Sequence, residues 1–329
     1  MKIEPPVMNP IAKIGIADNN GGKFTTDLKE HFAKICEVRY ERGASEFVAQ
    51  WADIYWVDTW DNNIHYLYKL YHGQHDDMPD NWDNKKKPTI VVRALDWEVW
   101  IGLARDQSII DWVDKIVVIA PHIEKELKKH GKFGNKVKLI RPGVNLQKFQ
   151  LKTNPTDGYQ IGMVLGDMWW YKNHMGGLDI FATLAKRDER WRLHIRGQHE
   201  GGDYNPVMFN HYLESRGIKD RVTLYEHVED MNQWYENIDY LLHPGMKEAF
   251  CYAIGEAAAK GIKPVVNNFY GADAIWPKEW MYNTHEEAVK RFYMPGNHVV
   301  PIADYRAFII DNYSNERMFK EIDEYLGLS

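Results

Sequence analysis

An α/β fold made of two doubly wound halves is what this sequence predicts, and three observations predict it. Short apolar or β-branched runs alternate with helical segments, the pattern of a parallel sheet with helices on both faces. The alternation pauses at a polar stretch, 147–158, and then restarts. The chain has 329 residues, too many for one ordinary core and enough for two domains.

The elements follow in order. Ile11–Ala17 reads as the first strand, then comes an Asn19-Asn20-Gly21-Gly22 turn and a helix from about Thr26 to Ile35. Cys36–Tyr40 is a second strand, and Ala52–Asp58 a third, rich in aromatic and β-branched residues. Pro88 introduces a fourth at Thr89–Ala94. A helix ending at Ile109–Val113 leads into a strand at Lys115–Ala120. The next helix, Pro121–His130, has proline in its first turn. Val137–Ile140 is a strand closed by Arg141-Pro142-Gly143.

Gln147–Gly158, with Asn154-Pro155 and Asp157-Gly158, is the linker this reading expects. Beyond it, strands are expected at Gln160–Leu165, Trp191–Arg196, Val222–Tyr225 and Tyr240–Leu242. Helices are expected at Asn173–Arg187, Asn205–Arg216 and Asp230–Asn237. Helical stretches at about Tyr305–Asn312 and Glu316–Leu326 end the chain. The expected division is 1–152, 153–303 and a final helical segment, 304–329. Two α/β halves suggest a ligand between them, outside the strand carboxyl ends.

The segment His243–Asn267, HPGMKEAFCYAIGEAAAKGIKPVVN, is the most informative. It holds two carboxylates, Glu248 and Glu256, eight positions apart. Glu248 follows a Pro244-Gly245 break, where a loop is expected. Glu256 lies in an Ala-rich run, Cys251–Lys260, that reads as a short helix closed by Gly261. A loop turning into a helix leaves the amides near Ala249, Phe250 and Cys251 without intrahelical partners. Such amides, with the positive end of the helix dipole, make a phosphate site. Glu256 would lie ~7.5 Å further along the axis at ~1.5 Å per residue. A nucleotide-sugar has this layout, with a diphosphate between two hydroxyl-bearing rings, and carboxylates accept from vicinal hydroxyls. Spacing alone does not decide this, since a Glu at a helix start is also ordinary capping.

Composition narrows the field. Hydrophobic residues make up 44% and charged residues 27%, a globular balance. No apolar run reaches the ~18 residues that span a bilayer, and MKIEPPVMNP lacks a basic-then-apolar leader pattern. Two cysteines, Cys36 and Cys251, make neither a disulfide framework nor a zinc site, and a reducing cytoplasm is expected. A net charge of −6 argues against a nucleic-acid partner without excluding one. The Lys85-Lys86-Lys87 run reads as a solvated loop. Lone histidines such as His174, His199 and His243 read as packing or rim residues.

Five ordered segments resemble the GT-B glycosyltransferases, and among them the large retaining family that includes glycogen and sucrose synthases. ADIYWVDTW and VDKIVVIAPHIEKEL are similar to the family's N-terminal strands and the helix after them. VKLIRPGVNLQKF is similar to its strand, Pro/Asn-Gly-Val-Asn/Asp turn and Phe. GDMWWYKN resembles its Gly-Arg-x-x-x-x-Lys-Gly/Asn phosphate loop. DYLLHPGMKEAFCYAIGEAAAKG resembles its Pro-Ser-x-x-Glu-Gly-Phe-Gly-x4-Glu-Ala signature. The resemblance covers about 115 to 270, and the N-terminal third by architecture only.

The resemblance implies two Rossmann-like domains facing a cleft, an acceptor-side domain 1–152 and a nucleotide-sugar domain 153–303, with 304–329 returning to the first. It implies that Glu248 holds donor-sugar hydroxyls, that Glu256 binds ribose hydroxyls and that Lys172 contacts the diphosphate. Backbone amides of Ala249, Phe250 and Cys251 would approach sugar and phosphate, and Gly21 and Gly22 would let backbone come close to the donor. The family's phosphate-loop arginine falls on Asp167 here, so Arg196 is the expected replacement cation. The family's N-domain histidine has no clear counterpart, and Asp96 stands nearest, with Arg93 and Glu98 alongside. No Asp-x-Asp pair is present, so no metal and no cofactor beyond a UDP- or GDP-sugar substrate is expected. The activity implied is retaining transfer to a saccharide or other hydroxyl acceptor. A sugar-nucleotide epimerase or hydrolase, and a non-catalytic nucleotide-sugar binder, remain alternatives.

Overall fold

The computed structural model describes residues 12–22, 25–76, 78, 82–83, 86–153, 156–197, 205–226, 228–292 and 303–328. His199 and Lys85 lie outside them, as do Asn154-Pro155. The chain forms two compact units, residues 1–141 with 316–329, and residues 142–315.

In chain order the first unit holds β1 (Lys13–Asp18), α1 (Thr26–Phe32), β2 (Glu37–Glu41), α2 (Glu46–Trp51), β3 (Ile54–Asp58) and α3 (Asn62–Tyr71). It continues through β4 (Thr89–Ala94), α4 (Trp97–Trp100), α5 (Gln107–Trp112), β5 (Lys115–Val118), α6 (Pro121–Leu127) and β6 (Val137–Leu139). Its six strands run in the order β2-β1-β3-β4-β5-β6, all parallel. β3 is buried along its whole length, as expected of a strand covered on both faces. The helices α2 and α3 were not expected. Side-chain caps start them: Ser45 Oγ accepts from Val48 N at 3.3 Å, and Asp61 Oδ1 accepts from Asn63 N at 2.8 Å.

The second unit holds β7 (Gln160–Gly166), α7 (His174–Arg187), β8 (Arg192–Gly197), α8 (Pro206–Ser215), β9 (Val222–Tyr225), α9 (Met231–Tyr235) and β10 (Tyr240–His243). Then come α10 (Tyr252–Ala259), β11 (Lys263–Asn267), β12 (Met281–Tyr282), α11 (His285–Phe292) and α12 (Ala303–Tyr313). Its strands run β12-β11-β10-β7-β8-β9, again all parallel. Strand order reverses between β7 and β10, so the crevice at their carboxyl ends is where an open α/β sheet takes its ligand.

The division falls at Arg141/Pro142, upstream of the polar stretch 147–158. That stretch is docked on the second unit. Phe149 is buried, Arg306 donates to the carbonyls of Phe149, Leu146 and Ala259, and Lys152 Nζ donates to Ile238 O at 2.8 Å. The C-terminal segment comprises two helices that go different ways. α12 stays with the second unit, whereas α13 (Asn315–Leu326) covers the first. Met318 and Ile322 of α13 share a core with Ile14, Ile16 and Trp56, and His31 Nε2 meets Asp323 Oδ2 at 2.9 Å. Among the described residues no helix is long and apolar enough to cross a membrane.

Candidate functional site

Two loops meet beyond the β7 and β10 carboxyl ends. The first runs from Gly166 to Asn173. Met168 and Asn173 both have positive φ, 50° and 51°, and between them Trp170–Lys172 makes one tight turn. The second runs from Pro244 to Cys251. Met246 N donates to Tyr171 O at 2.7 Å, and the Asn173 side-chain Nδ2 donates to Pro244 O at 3.2 Å, so one backbone and one side-chain bond tie the loops. Gly177 lets α7 come this close, because a Cβ there would lie 3.0 Å from Pro244 Cγ and 2.5 Å from Met163 Sδ.

This junction places Lys172 Nζ 2.5 Å from Glu248 Oε1. Their side chains are 20% and 11% exposed, open enough to be reached and closed enough for the charges to be felt. Burial alone would lower the Lys172 pKa, but Glu248 outweighs it and holds the ammonium above the usual lysine range. His243 Nε2 lies 3.4 Å from the same Glu248 oxygen, and its Nδ1 is 3.6 Å from Cys251 Sγ. Burial and then Lys172 pull the imidazole down to about 3, so it is neutral at pH 7. Burial and then Glu248 push the Cys251 thiol up to about 12, so it keeps its proton.

His243, Glu248 and Cys251 offer one ligand atom each within 4.8 Å of one another. Those residue types can hold zinc, with ligand bonds of about 2.0–2.3 Å. The Lys172 ammonium holds the same carboxylate at 2.5 Å, so a cation there would have to displace it.

Cys251 precedes α10 with φ 66°, a left-handed backbone that a residue with a Cβ rarely adopts. α10 therefore starts at Tyr252, and Ala249, Phe250 and Cys251 lie in the loop before it. The Phe250 side chain is an anchor, 2% exposed with ring centroids 5.0 Å from Trp276 and from Tyr313. Only its backbone is left to face a ligand.

The region that matches a known family is this one: residues 160–289 fit the description Glycosyl transferases group 1. The matched residues all lie in the second unit. Over the whole chain, the glycosyltransferase from Rickettsia africae ESF-5 is similar in structure, with a TM-score of 0.73 at 13% identity, covering 97% of this chain and 99% of that one. The Anabaena protein HepE, solved with UDP, has a TM-score of 0.72 at 12% identity and coverage of 96% and 100%. The sucrose-phosphate synthase of Thermosynechococcus elongatus has a TM-score of 0.72 at 13% identity, with coverage of 96% and 98%. The expected α/β two-domain fold is therefore that of GT-B glycosyltransferases. In sequence, protein CapJ of Staphylococcus aureus is 22% identical over 149 residues, which is 45% of this chain and 38% of CapJ.

Within the matched region a second cluster flanks the first. Glu256, on α10, accepts from the Tyr235 hydroxyl at 3.0 Å. Burial and then Glu256 hold the Tyr235 hydroxyl far above its usual pKa, while Arg196 pulls the other way, which puts that guanidinium within electrostatic reach. Arg196 is the penultimate residue of β8 and half-buried, and its buried Nε has no hydrogen-bond partner among the described residues. Asp167, which stands where the resemblance expects arginine, is exposed. Sequence reasoning passed over Tyr235, and it set His243 aside as a rim residue. The one signal for His243 was its place immediately before Pro244 in the motif.

Gly21, Gly22 and Asp96 belong to the first unit. Gly21 and Gly22 have φ 66° and 85° in the turn after β1, as a glycine pair permits. Buried Asp18 shapes that turn, accepting from Asn20 N at 2.6 Å, Gly22 N at 3.0 Å and the Thr25 hydroxyl. Asp96 caps α4 through Trp97 N. Beside it Glu98 is fully buried and accepts from Leu95 N at 2.5 Å and Asp96 N at 3.2 Å.

Burial pushes the Glu98 carboxyl up to about 7 from an ordinary 4.5, with the Asp96 charge adding to the effect. The folded state then keeps a proton that the unfolded chain releases, so this contribution is full below pH 4.5 and is lost as pH rises through 7. Glu98→Gln removes the dependence. Its stability relative to the parent should climb between pH 5 and 7.5 by ~2 kcal/mol. Denaturant melts at both pH values check this, and a constant difference would refute it.

Proposed function

We propose that the protein is a retaining glycosyltransferase that moves a sugar from a nucleoside-diphosphate sugar to a hydroxyl acceptor without a metal. The observation that carries this reading is the Lys172–Glu248 pair at the β7/β10 switch point, inside the group 1 domain. Breaking the sugar C1–O bond leaves negative charge on the nucleoside diphosphate. Lys172 and the amides of the 249–251 loop meet that charge as preorganised donors, and Arg196 supplies the second cation that Asp167 cannot. Glu248 orients the sugar hydroxyls and steadies positive charge at the anomeric carbon. Glu256 accepts from the ribose. The acceptor, a saccharide or another hydroxyl compound, attacks from the face the diphosphate leaves.

HepE is solved with UDP and with UDP-glucose, which makes uridine the first base to try and guanosine the second. The test is a thermal-shift screen of UDP-, GDP-, ADP- and dTDP-sugars, with and without EDTA, followed by turnover of the donor that binds. A ligand at 100 times its dissociation constant adds ~2.7 kcal/mol. Stabilisation and turnover unaffected by EDTA are expected. Binding without turnover under any acceptor would favour a non-catalytic binder, and no binding at all would sink the reading.

Glu256→Ala is expected to weaken nucleoside-diphosphate binding by about 10- to 100-fold, the loss of a ribose hydrogen-bond pair to a charged acceptor. Calorimetric titration with the nucleoside diphosphate measures it, and unchanged affinity would remove Glu256 from the site.

A further inference from the structure

His243 closes β10 with 3% of its surface exposed, and its ring is unaccounted for by packing alone. Nε2 is buried without a hydrogen-bond partner among the described residues, and it faces Glu248 Oε1 across 3.4 Å. Buried polar atoms are nearly always paired, so an orphan beside a functional carboxylate calls for a reason.

We propose that His243 is a positioning residue for Glu248: Cys251 fixes its tautomer, and its Nε2–H takes hold of the carboxylate when a diphosphate draws Lys172 away. This rests on the reading of Lys172 and Glu248 given above.

The tautomer follows from the neighbours. Cys251 Sγ lies 3.6 Å from Nδ1, within reach of a thiol hydrogen bond. A protonated thiol donates, so Nδ1 accepts, and the single proton of the neutral ring sits on Nε2. The other tautomer would set a nitrogen lone pair against a carboxylate oxygen. Phe269 packs edge-on against the ring, centroids 6.1 Å apart, and offers no competing acceptor. Gly245 makes room for the arrangement, since a Cβ there would lie 2.7 Å from Nε2 and 3.4 Å from Glu248 Oε1.

The 3.4 Å gap is the informative distance. Lys172 holds the same oxygen at 2.5 Å, so the imidazole N–H stands second in line. In the donor complex the ammonium is shared with phosphate oxygens. The orphan Nε2–H already faces the Glu248 oxygen across 3.4 Å, and a small rotation closes that contact as the ammonium moves off. Hydrogen bonds of this kind are often long before the ligand arrives and tighten afterwards.

Nitrogen NMR of the full chain labelled in its histidines tests the geometry at pH 7. A neutral His243 with its proton on Nε2 is expected, and its Nε2 resonance should move on adding UDP. A proton on Nδ1, or an imidazolium, overturns the proposal. Kinetics test the role, using nucleoside diphosphate released from the donor that the screen selects, with water as acceptor. His243→Leu is expected to lower kcat about 10- to 100-fold, as a misplaced reacting group does, with KM and UDP affinity within threefold of the parent. His243→Gln, which can place an N–H near the same point, is expected to recover most of that loss. Parent-like kcat in His243→Leu, or equal loss in both variants, overturns the role. If His243→Leu does not fold, Cys251→Ala decides: proton exchange between both ring nitrogens and a several-fold lower kcat support the relay, and an unchanged tautomer with unchanged kcat refutes it. A chain that binds none of the donors fails at the reading of Lys172 and Glu248, and the tautomer measurement still judges the geometry.

Discussion

Glu248→Ala is expected to cut donor turnover by about 10³-fold while UDP binding stays within a few-fold of the parent. The magnitude is that of removing a group that acts on charge developing in the transition state. The direction on binding comes from the ion pair. Glu248 holds Lys172 Nζ at 2.5 Å in the structure, so its removal releases an ammonium to the diphosphate. Turnover and binding therefore part company in this variant. Steady-state release of nucleoside diphosphate and calorimetric titration with UDP measure the two. If both fall together, Glu248 is a binding residue alone. If neither falls, it has no part in the site.

Lys172→Ala has the mirror-image expectation. The diphosphate loses its cation, and affinity for UDP is expected to drop about 100-fold, in the range for a charge-assisted hydrogen bond in a partly closed site. The stability of the unliganded protein is also expected to fall by ~1–3 kcal/mol, because the partly buried Glu248 carboxylate loses the Lys172 ammonium. Combining the two substitutions should restore much of that stability and none of the turnover, the signature of a coupled pair. Thermal melts of the parent, both single variants and the double variant check this. Additive losses would mean that the 2.5 Å contact carries little energy.

Much of the fold was legible because each half obeys simple rules. Apolar runs such as Tyr240–His243 and Thr89–Ala94 are buried strands, and the Ala-rich run before Gly261 is a helix. What escaped depends on partners distant in sequence. Lys152 sits in a stretch that looks like a linker, yet its ammonium is buried against Ile238 and Asp239. Composition cannot show that contact. The segments Ser45–Trp51 and Asp61–Tyr71 carry no assignment from sequence, and the structure shows them to be helices that Ser45 and Asp61 cap.

The candidate site divides the same way. Lys172 and Glu248 stand 76 positions apart, and it was the resemblance, not spacing, that joined them. Within the short motif, Glu248 and Glu256 stood out as charges. His243 did not, because a histidine before a proline is unremarkable until its Nε2 is found buried against a carboxylate. Tyr235 lies 21 residues before Glu256, outside any pattern a short motif can carry. Asp96 stood out as the residue nearest a missing histidine, and the structure shows it capping α4.

The passage of α13 back to the first unit has a consequence for synthesis on the ribosome. Met318 and Ile322 complete the layer over Ile14, Ile16 and Trp56, so the half translated first stays unsealed until α13 emerges. The half translated second needs no residue beyond Asn315 and can close earlier. The amino-terminal half is thus completed by residues made after the other half, and its uncovered layer is the surface a chaperone would shelter.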